Sequence, residues 1–247
     1  PAMVIATAPR PSVACTDRRG RRSSDRGRRH ACSGRSHMCG YANSRCFYLL
    51  PWEKLPGLGY NRREITMTNI PATPFENAYW VRPGQLLAGE YPGSRTGYVF
   101  RTDDMVRERM QALVEFDINM IIDLSKPGEG EDYRDLLRQE ARRHNVKVEH
   151  VRMPIKDMGV PTEDEMVAIL DRIDQALIDN LAVYVHCMAG IGRTGMVVGC
   201  HLVRHGIPAD QAITCMNELR KHMPYGKYSS PETETQSQFI LGWKAGQ

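Results

Sequence analysis

The sequence of 247 residues is poor in aromatic side chains and has no long apolar run. Aromatic residues make up 7% of it, with 5 Phe and 3 Trp. No apolar run reaches the roughly 18–20 residues that a membrane-spanning helix needs. The short run Cys46–Leu50 is followed at once by Pro51. We therefore expect no membrane partner.

Closely paired cysteines are also missing. The seven cysteines include no Cys-x-x-Cys pair, the spacing that zinc sites commonly use. Four of them lie near the start of the chain: Cys15, Cys32, Cys39 and Cys46. Although His30 and His37 lie in the same stretch, we expect no metal and no cofactor.

Residues 1–66 differ in composition from the rest of the chain. They carry 13 Lys+Arg and 4 Asp+Glu, a net charge of +9, whereas residues 67–247 carry 20 and 25, a net charge of −5. Up to about Ser36 the segment is rich in Arg, Ser, Gly and Pro, contains no lysine and shows no helical or strand period. We expect residues 1–66 to be a disordered basic extension outside the functional domain, 67–247. A transit peptide and weak RNA binding stay open for the extension, but we expect no nucleic acid on the domain.

The most informative segment is Val183–Gly195. It places Cys187 directly after the apolar run Leu181–His186, which is typical of a buried strand. A helical pattern begins at Thr194. The loop between Cys187 and Arg193 consists of Met188, Ala189, Gly190, Ile191 and Gly192.

This arrangement predicts a site for a tetrahedral dianion. The two loop glycines allow successive amide N–H groups to converge on one point, and a helix start adds unpaired donors and a positive dipole end. Arg193 supplies a planar fork for two phosphate oxygens. The same surroundings favour the thiolate form of Cys187, which is the nucleophilic form. We expect Thr194 to donate a hydrogen bond to the sulfur and His186 to orient the loop.

Other interpretations of the loop are weaker. A lone buried cysteine is usually inert core, and a Gly-rich turn between strand and helix fits any anion. The combination of cysteine, two glycines, Arg193 and Thr194 at these spacings is much more restrictive. It indicates hydrolysis of phosphate esters through a cysteinyl-phosphate, without a metal.

The motif from His186 to Thr194 resembles the signature of the cysteine-dependent protein tyrosine phosphatase superfamily. The short chain around it is similar to the compact dual-specificity branch, including the kinase-associated phosphatase group. The low-molecular-weight phosphatases carry a similar loop near the N-terminus, whereas here the loop lies in the C-terminal third. The resemblance implies a dual-specificity phosphatase-like catalytic domain over 67–247.

A proton donor for the leaving oxygen is expected at Asp157. It follows a predicted strand in a loop bounded by Pro154 and Pro161 and loosened by Gly159, and such loops can close over a substrate. The resemblance agrees, because dual-specificity phosphatases carry their general acid in a Pro-Ile-x-Asp loop, and Asp157 matches that aspartate. The following acids fit the first turn of a helix that begins with a capping box, Thr162 and Glu165.

The order of apolar patterns predicts an α/β fold. A hairpin around Pro83–Gly84 precedes alternating strands and helices, which favours a mainly parallel central sheet flanked by helices. The resemblance implies a protein tyrosine phosphatase-like fold. For the final helix, Ser230 is the expected N-cap and Pro231 the first residue. Gln236 in that helix is a candidate for positioning water.

The substrate class stays open at this point. The first hypothesis is a protein phosphatase acting on phosphotyrosine, with phosphoserine and phosphothreonine as further substrates. The alternatives are a phosphatase of inositol phosphates, phosphoinositides, RNA 5′ ends or sugar phosphates, and a non-enzymatic phosphate-binding module. Relatives that act on lipids and inositols usually have lysines in the loop, whereas Met188, Ala189 and Ile191 offer no cation. A reactive thiolate needs a reducing compartment, so we expect a cytoplasmic protein.

Overall fold

The computed structural model describes residues 72–94 and 99–247. All of them belong to one compact unit of the chain. The extension predicted for residues 1–66 lies outside the described residues and stays a prediction.

The fold begins with the expected hairpin. Strand β1 (Ala78–Arg82) pairs antiparallel with β2 (Leu86–Gly89). The turn closes with a hydrogen bond from the Gln85 N–H to the Arg82 carbonyl (3.0 Å). Gly84 takes a φ of +70° in this turn, which a glycine adopts without strain.

Three parallel strands complete the sheet. They are β3 (Ile118–Asp123), β4 (Glu149–Arg152) and β5 (Ala182–His186), and the spatial order is β1-β2-β5-β3-β4. Strand β5 lies parallel between β2 and β3. The predicted mainly parallel sheet is therefore confirmed, with β1 as its antiparallel edge.

Within residues 72–94 and 99–247, six α-helices follow or connect these strands. They are α1 (Asp103–Glu115), α2 (Arg134–Arg143), α3 (Glu163–Ile178), α4 (Gly192–Arg204), α5 (Ala209–Arg220) and α6 (Glu234–Gly242). The predicted capping box of α3 is present: Thr162 Oγ1 accepts from the Glu165 N–H, and a Glu165 carboxylate oxygen accepts from the Thr162 N–H. None of the helices in the described part of the chain is long and apolar enough to cross a bilayer.

The two faces of the sheet carry separate apolar clusters, because successive strand residues point to opposite faces. On one face, Val183 and Val185 pack with residues of α3, α4 and α6. On the other face, Ala182 and Tyr184 pack with residues of α1 and α2. Strand β5 is thus covered on both sides, which explains its continuous apolar pattern.

The predicted start of the last helix is wrong. Helix α6 begins after Thr233, whose Oγ1 accepts from the Gln236 N–H, while the Gln236 side chain accepts from the Thr233 N–H. Ser230 precedes a cis peptide bond to Pro231 and lies outside the helix. Its side chain has another partner, since the Ser230 hydroxyl donates to the Ile191 carbonyl (2.7 Å).

The parallel strands end at one edge of the sheet. Backbone hydrogen bonds join the residues that leave them: Leu124 N–H donates to the His186 carbonyl, and Ile155 N–H donates to the Leu124 carbonyl. The segments after β3, β4 and β5 therefore lie side by side at their carboxyl ends, where parallel sheets hold their ligands.

Candidate active site

The loop after β5 joins the strand to the start of α4. The N-cap of α4 is Ile191, which offers no side-chain hydrogen bond to the first turn. Helix starts leave their first N–H groups without helical partners and carry the positive end of the dipole. The loop Cys187–Ile191 therefore leads directly into the first turn of α4, and phosphate binding by its amide groups stays a prediction.

Gly190 has a specific steric role in this loop. Its φ is +70°, and a Cβ there would come within 2.5 Å of the Gly89 carbonyl carbon and 2.7 Å of the Glu90 nitrogen. The loop packs so closely on the end of β2 that only glycine fits. The Tyr91 N–H also donates to the Met188 carbonyl (3.1 Å), which fixes the same contact.

The nucleophile and the arginine predicted from the sequence are both buried. Cys187 is 3% exposed and Arg193 is 2% exposed. One terminal nitrogen of Arg193, Nη1, donates to the carbonyls of Ile155 (3.2 Å) and Leu124 (3.4 Å). The segments after β3 and β4 thus hold the guanidinium in place.

Two carboxylates also contact this guanidinium. Asp157 Oδ1 lies 2.9 Å from Arg193 Nη2, and Glu129 Oε2 lies 2.7 Å from Nη1. Burial alone would lower the pKa of Arg193, but Cys187, Glu129 and Asp157 raise it. The arginine therefore keeps its charge inside the fold.

Asp157, the predicted acid, contacts Arg193 from an exposed loop, and its role as acid stays a prediction. Its side chain is 66% exposed and lies in the turn after β4, in which the Gly159 N–H donates to the Lys156 carbonyl (3.0 Å). The Gln236 amide group donates to the Gly159 carbonyl (3.1 Å). Helix α6 therefore tethers the acid loop. The amide of Gln236 is occupied by these contacts, and its role toward water stays a prediction.

His186 is neutral and oriented by its neighbours. Burial lowers its pKa to about 4. One ring nitrogen, Nδ1, lies 3.3 Å from the Cys187 carbonyl, and Nε2 lies 2.7 Å from the Tyr133 hydroxyl. The partners assign the proton to Nδ1, which donates to the carbonyl, while Nε2 accepts from Tyr133. These contacts agree with a loop-orienting role, but a neutral ring brings no full positive charge to the sulfur.

An ionised carboxylate lies behind this histidine. Arg152 donates two hydrogen bonds to Asp123 (2.8 and 2.9 Å), and the Ser125 N–H donates a third (2.9 Å). Burial would raise the pKa of Asp123, but the hydrogen bonds that it accepts, among them those from the Ser125 N–H and hydroxyl, hold it well below its usual range. The base of the loop thus rests on a charged, hydrogen-bonded network.

The hydrogen bond predicted from Thr194 to the sulfur is not formed. The Thr194 hydroxyl is buried and has no hydrogen-bond partner among the described residues. It lies one residue after Arg193 in the first turn of α4. Its predicted role toward the sulfur stays a prediction.

Glu129, Asp123 and Tyr133 are the site residues that sequence reasoning missed. Glu129 lies between two glycines in the segment after β3. The order of elements contained a signal for it, because this segment follows a strand that ends at the same edge as β5. The motif at Cys187 contains no information about Glu129.

In the comparison with known proteins, the chain matches phosphatases. A family model described as "Polymorphic toxin system, DSP-PTPase phosphatase" matches residues 97–207. The tyrosine-protein phosphatase CDC14 of Candida albicans is 32% identical over 89 residues, which are 36% of this chain and 16% of that protein. Protein tyrosine phosphatase domain-containing protein 1 of Mus musculus is 31% identical over 166 residues, which are 60% and 22%. The chain therefore spans less than a quarter of the length of these two relatives.

Solved structures show the same architecture. The crystal structure of kinase associated phosphatase matches with a TM-score of 0.52 and 25% identity, over 63% of this chain and 83% of that chain. The structure of Tk-PTP in its active form matches with a TM-score of 0.52 and 20% identity, over 66% and 93%. These matches confirm the predicted α/β architecture.

Proposed function

Given that the chain belongs to the superfamily of cysteine-dependent protein tyrosine and dual-specificity phosphatases, we propose that it removes phosphate from tyrosine in proteins, with phosphoserine and phosphothreonine as slower substrates. Of the two relatives described above, one is named a tyrosine-protein phosphatase and the other is named for a protein tyrosine phosphatase domain. Met188, Ala189 and Ile191 in the loop bring no cation that would select a polyphosphate. Both facts support a protein substrate.

The proposed reaction has two steps. In the first, the Cys187 thiolate attacks phosphorus, the bond from phosphorus to the ester oxygen breaks, and Asp157 gives its proton to the leaving oxygen. In the second, Asp157 takes a proton from water, the water oxygen attacks phosphorus, and the bond to sulfur breaks. Inorganic phosphate leaves and the thiolate is restored.

Arg193 and the loop amides act in both steps. They donate hydrogen bonds to the equatorial oxygens of the transferring phosphoryl group, where negative charge is concentrated. The donors come from a buried guanidinium and a helix start that are already in position. No reorganisation is then needed when the charge develops.

One observation carries this proposal: Asp157 Oδ1 lies 2.9 Å from Arg193 Nη2. The acid predicted from one loop and the arginine predicted from another meet at the same point of the fold. A phosphate bound by Arg193 would replace Asp157 as the partner of Nη2. The released Asp157 carboxyl would then face the ester oxygen. A reactive thiolate fits a cytoplasmic location, which we include in the proposal.

A second candidate is a phosphoinositide or inositol phosphate substrate. The Arabidopsis thaliana protein named phosphatidylinositol 3,4,5-trisphosphate 3-phosphatase and protein-tyrosine-phosphatase PTEN1 is 30% identical over 132 residues, which are 52% of this chain and 29% of that protein. Its name joins both activities, so an assay must compare them directly.

The test is a substrate panel on the full chain. Rates are measured on phosphotyrosine, phosphoserine and phosphothreonine peptides of one sequence and on a set of inositol phosphates, with vanadate as inhibitor. We expect the highest kcat/KM on phosphotyrosine and no turnover by the Cys187→Ser variant. A higher kcat/KM on an inositol phosphate would contradict the protein substrate, and full activity of Cys187→Ser would contradict the mechanism.

A further inference from the structure

Helices α3 and α4 bring three ligand-type side chains together away from the phosphate loop. They are Asp174 of α3, His201 of α4 and its C-cap residue His205. One donor atom from each lies within 4.8 Å of the others. The two histidines are four residues apart, a spacing that places both rings on one face of a helix.

The distances are close to those of a tetrahedral site. Asp174 Oδ1 lies 2.9 Å from His205 Nε2 and 3.5 Å from His201 Nδ1. Ligands bound to zinc at about 2.0–2.1 Å in tetrahedral geometry are about 3.3 Å apart. The two distances to Asp174 Oδ1 are therefore within about 0.4 Å of this value, and the nitrogens of the two histidines lie at most 4.8 Å apart, so side-chain rotation would let all three atoms bind one ion.

His201 has an unsatisfied buried nitrogen that points into this cluster. The side chain is 2% exposed, and its Nδ1 has no hydrogen-bond partner among the residues that the structure describes. An unpaired buried polar atom destabilises a fold, and a bound ion would satisfy it. A buried imidazole is neutral, which is the form that binds a metal.

The carboxylate of Asp174 is already oriented. Its Oδ2 accepts from Arg204 Nη1 (3.0 Å), and the same nitrogen pairs with Asp171 (2.7 Å). This leaves Oδ1 facing the histidines. Hydrogen bonds to the second oxygen of a ligating carboxylate are typical of metal sites. Arg204 and nearby Arg82 also place positive charge close to the cluster.

We propose that Asp174, His201 and His205 form a binding site for a zinc ion, separate from the catalytic loop. Two imidazoles and one carboxylate suit zinc, whereas magnesium and calcium prefer oxygen ligands alone. Asp174 is 23% exposed and His205 is 14% exposed, so an ion can enter and water can supply a fourth ligand. His201 lies about 12 Å along α4 from Arg193. The ion would therefore connect α3 to α4 and take no part in the reaction.

The test measures zinc bound to the full chain by competition with a chromophoric chelator. We compare the parent with His205→Ala, which removes a partly exposed ligand. His222→Ala, an exposed histidine outside the cluster, is the matched control. We expect His205→Ala to lose one bound zinc per chain or to bind it at least about tenfold more weakly, while the control keeps it. Zinc should raise the unfolding temperature of the parent and the control more than that of His205→Ala.

Cobalt substitution identifies the ligands. Cys187 and the cysteines at residues 15–46 are further zinc ligands in principle, but a thiolate gives cobalt a charge-transfer band that imidazole and carboxylate do not. We expect the fraction lost in His205→Ala to lack that band. Asp174→Asn serves as a second variant and decides the outcome if His205→Ala does not fold. Equal zinc binding by the parent and the folded ligand variant, or no zinc bound by the parent, would overturn the proposal.

Discussion

At the scale of single residues, the two terminal nitrogens of Arg193 have different partners. Nη1 contacts the Ile155 and Leu124 carbonyls and Glu129, which belong to the scaffold, whereas Nη2 contacts Asp157, which is largely exposed. One nitrogen is therefore fixed and the other is held by a group that is proposed to act on the substrate. This division lets an arginine keep its position while its partner changes during the reaction.

Replacing the acid should affect turnover more than binding. In Asp157→Asn the first step loses its proton donor, and general acid catalysis contributes about 10²–10⁴-fold. We expect kcat on a phosphotyrosine peptide to fall by about that factor, with KM changed little, since Arg193 still binds phosphate. An unchanged kcat would exclude Asp157 from the mechanism.

Replacing Glu129 tests whether the contact that holds Nη1 of Arg193 is needed for catalysis. Glu129→Gln removes the charge that lies 2.7 Å from Nη1 and keeps the size of the side chain. Displacing a substrate-binding group by about 1 Å can reduce the rate about 100-fold, so we expect kcat/KM to fall by about 10- to 100-fold without a change of fold. Glu131→Gln, an exposed neighbour, should keep full activity. A rise in kcat/KM for Glu129→Gln would show instead that the carboxylate competes with phosphate.

At the scale of elements, the helix behind the loop depends on contacts that the sequence pattern does not contain. Gly199 weakens the helical pattern of α4, but a Cβ there would come within 2.9 Å of Ile240 Cγ1 and still closer to Cδ1. The glycine allows α6 to pack directly on α4.

The start of α6 could not be predicted for a similar reason. The Ser230 hydroxyl donates to the Ile191 carbonyl across the fold, and Thr233 provides the cap. The capping box of α3 was predictable, since all its partners lie within four residues.

Adding a methyl group at this contact should destabilise the protein. Gly199→Ala gains helix propensity of up to about 1 kcal/mol but overpacks a buried contact, which costs about 1–3 kcal/mol. We expect a net loss of unfolding free energy of about 1–2 kcal/mol, measured by denaturant titration. Gly242→Ala is the matched control, because nothing lies within 4 Å of its added Cβ, and it should be neutral or slightly stabilising. Equal stability of Gly199→Ala and the parent would contradict the packing argument.

At the scale of the whole molecule, the site is assembled where three parallel strands end. The sequence motif predicted Cys187 and Arg193 as site residues, and the loop pattern with the resemblance predicted Asp157, because each prediction rests on short-range spacing. Glu129 and Tyr133 were not predictable in this way, since their contacts span more than 50 residues of sequence. Their positions follow from strand order, which periodicity alone does not determine.

The buried His186 should make stability depend on pH. Its pKa is about 4 in the folded protein and near 6.5 in an unfolded chain. Between these values the unfolded chain binds the proton and the folded protein does not, so the unfolding free energy falls as pH decreases from about 6.5 to about 4. The neutral form of His186 therefore contributes on the order of 3 kcal/mol to the unfolding free energy. This contribution is fully present above pH 6.5 and is lost as the pH falls to about 4.

The matched comparison isolates this histidine from other titrating groups. Unfolding free energy is measured by denaturant titration across this pH range for the parent, His186→Asn and His222→Asn. We expect His186→Asn to lose less stability than the parent as the pH falls. His222→Asn should lose as much stability as the parent. The same loss in all three proteins would mean that His186 titrates alike in the folded and unfolded states.

The phosphoryl acceptor can be identified directly by acid quenching. The full chain is mixed with a phosphotyrosine peptide carrying radioactive phosphate, the reaction is stopped in acid within the first turnover, and the protein is digested. We predict that the label is found on the peptide that contains Cys187 and is absent from the Cys187→Ser variant. Turnover without labelled protein, or a label that persists in Cys187→Ser, would contradict nucleophilic attack by this cysteine.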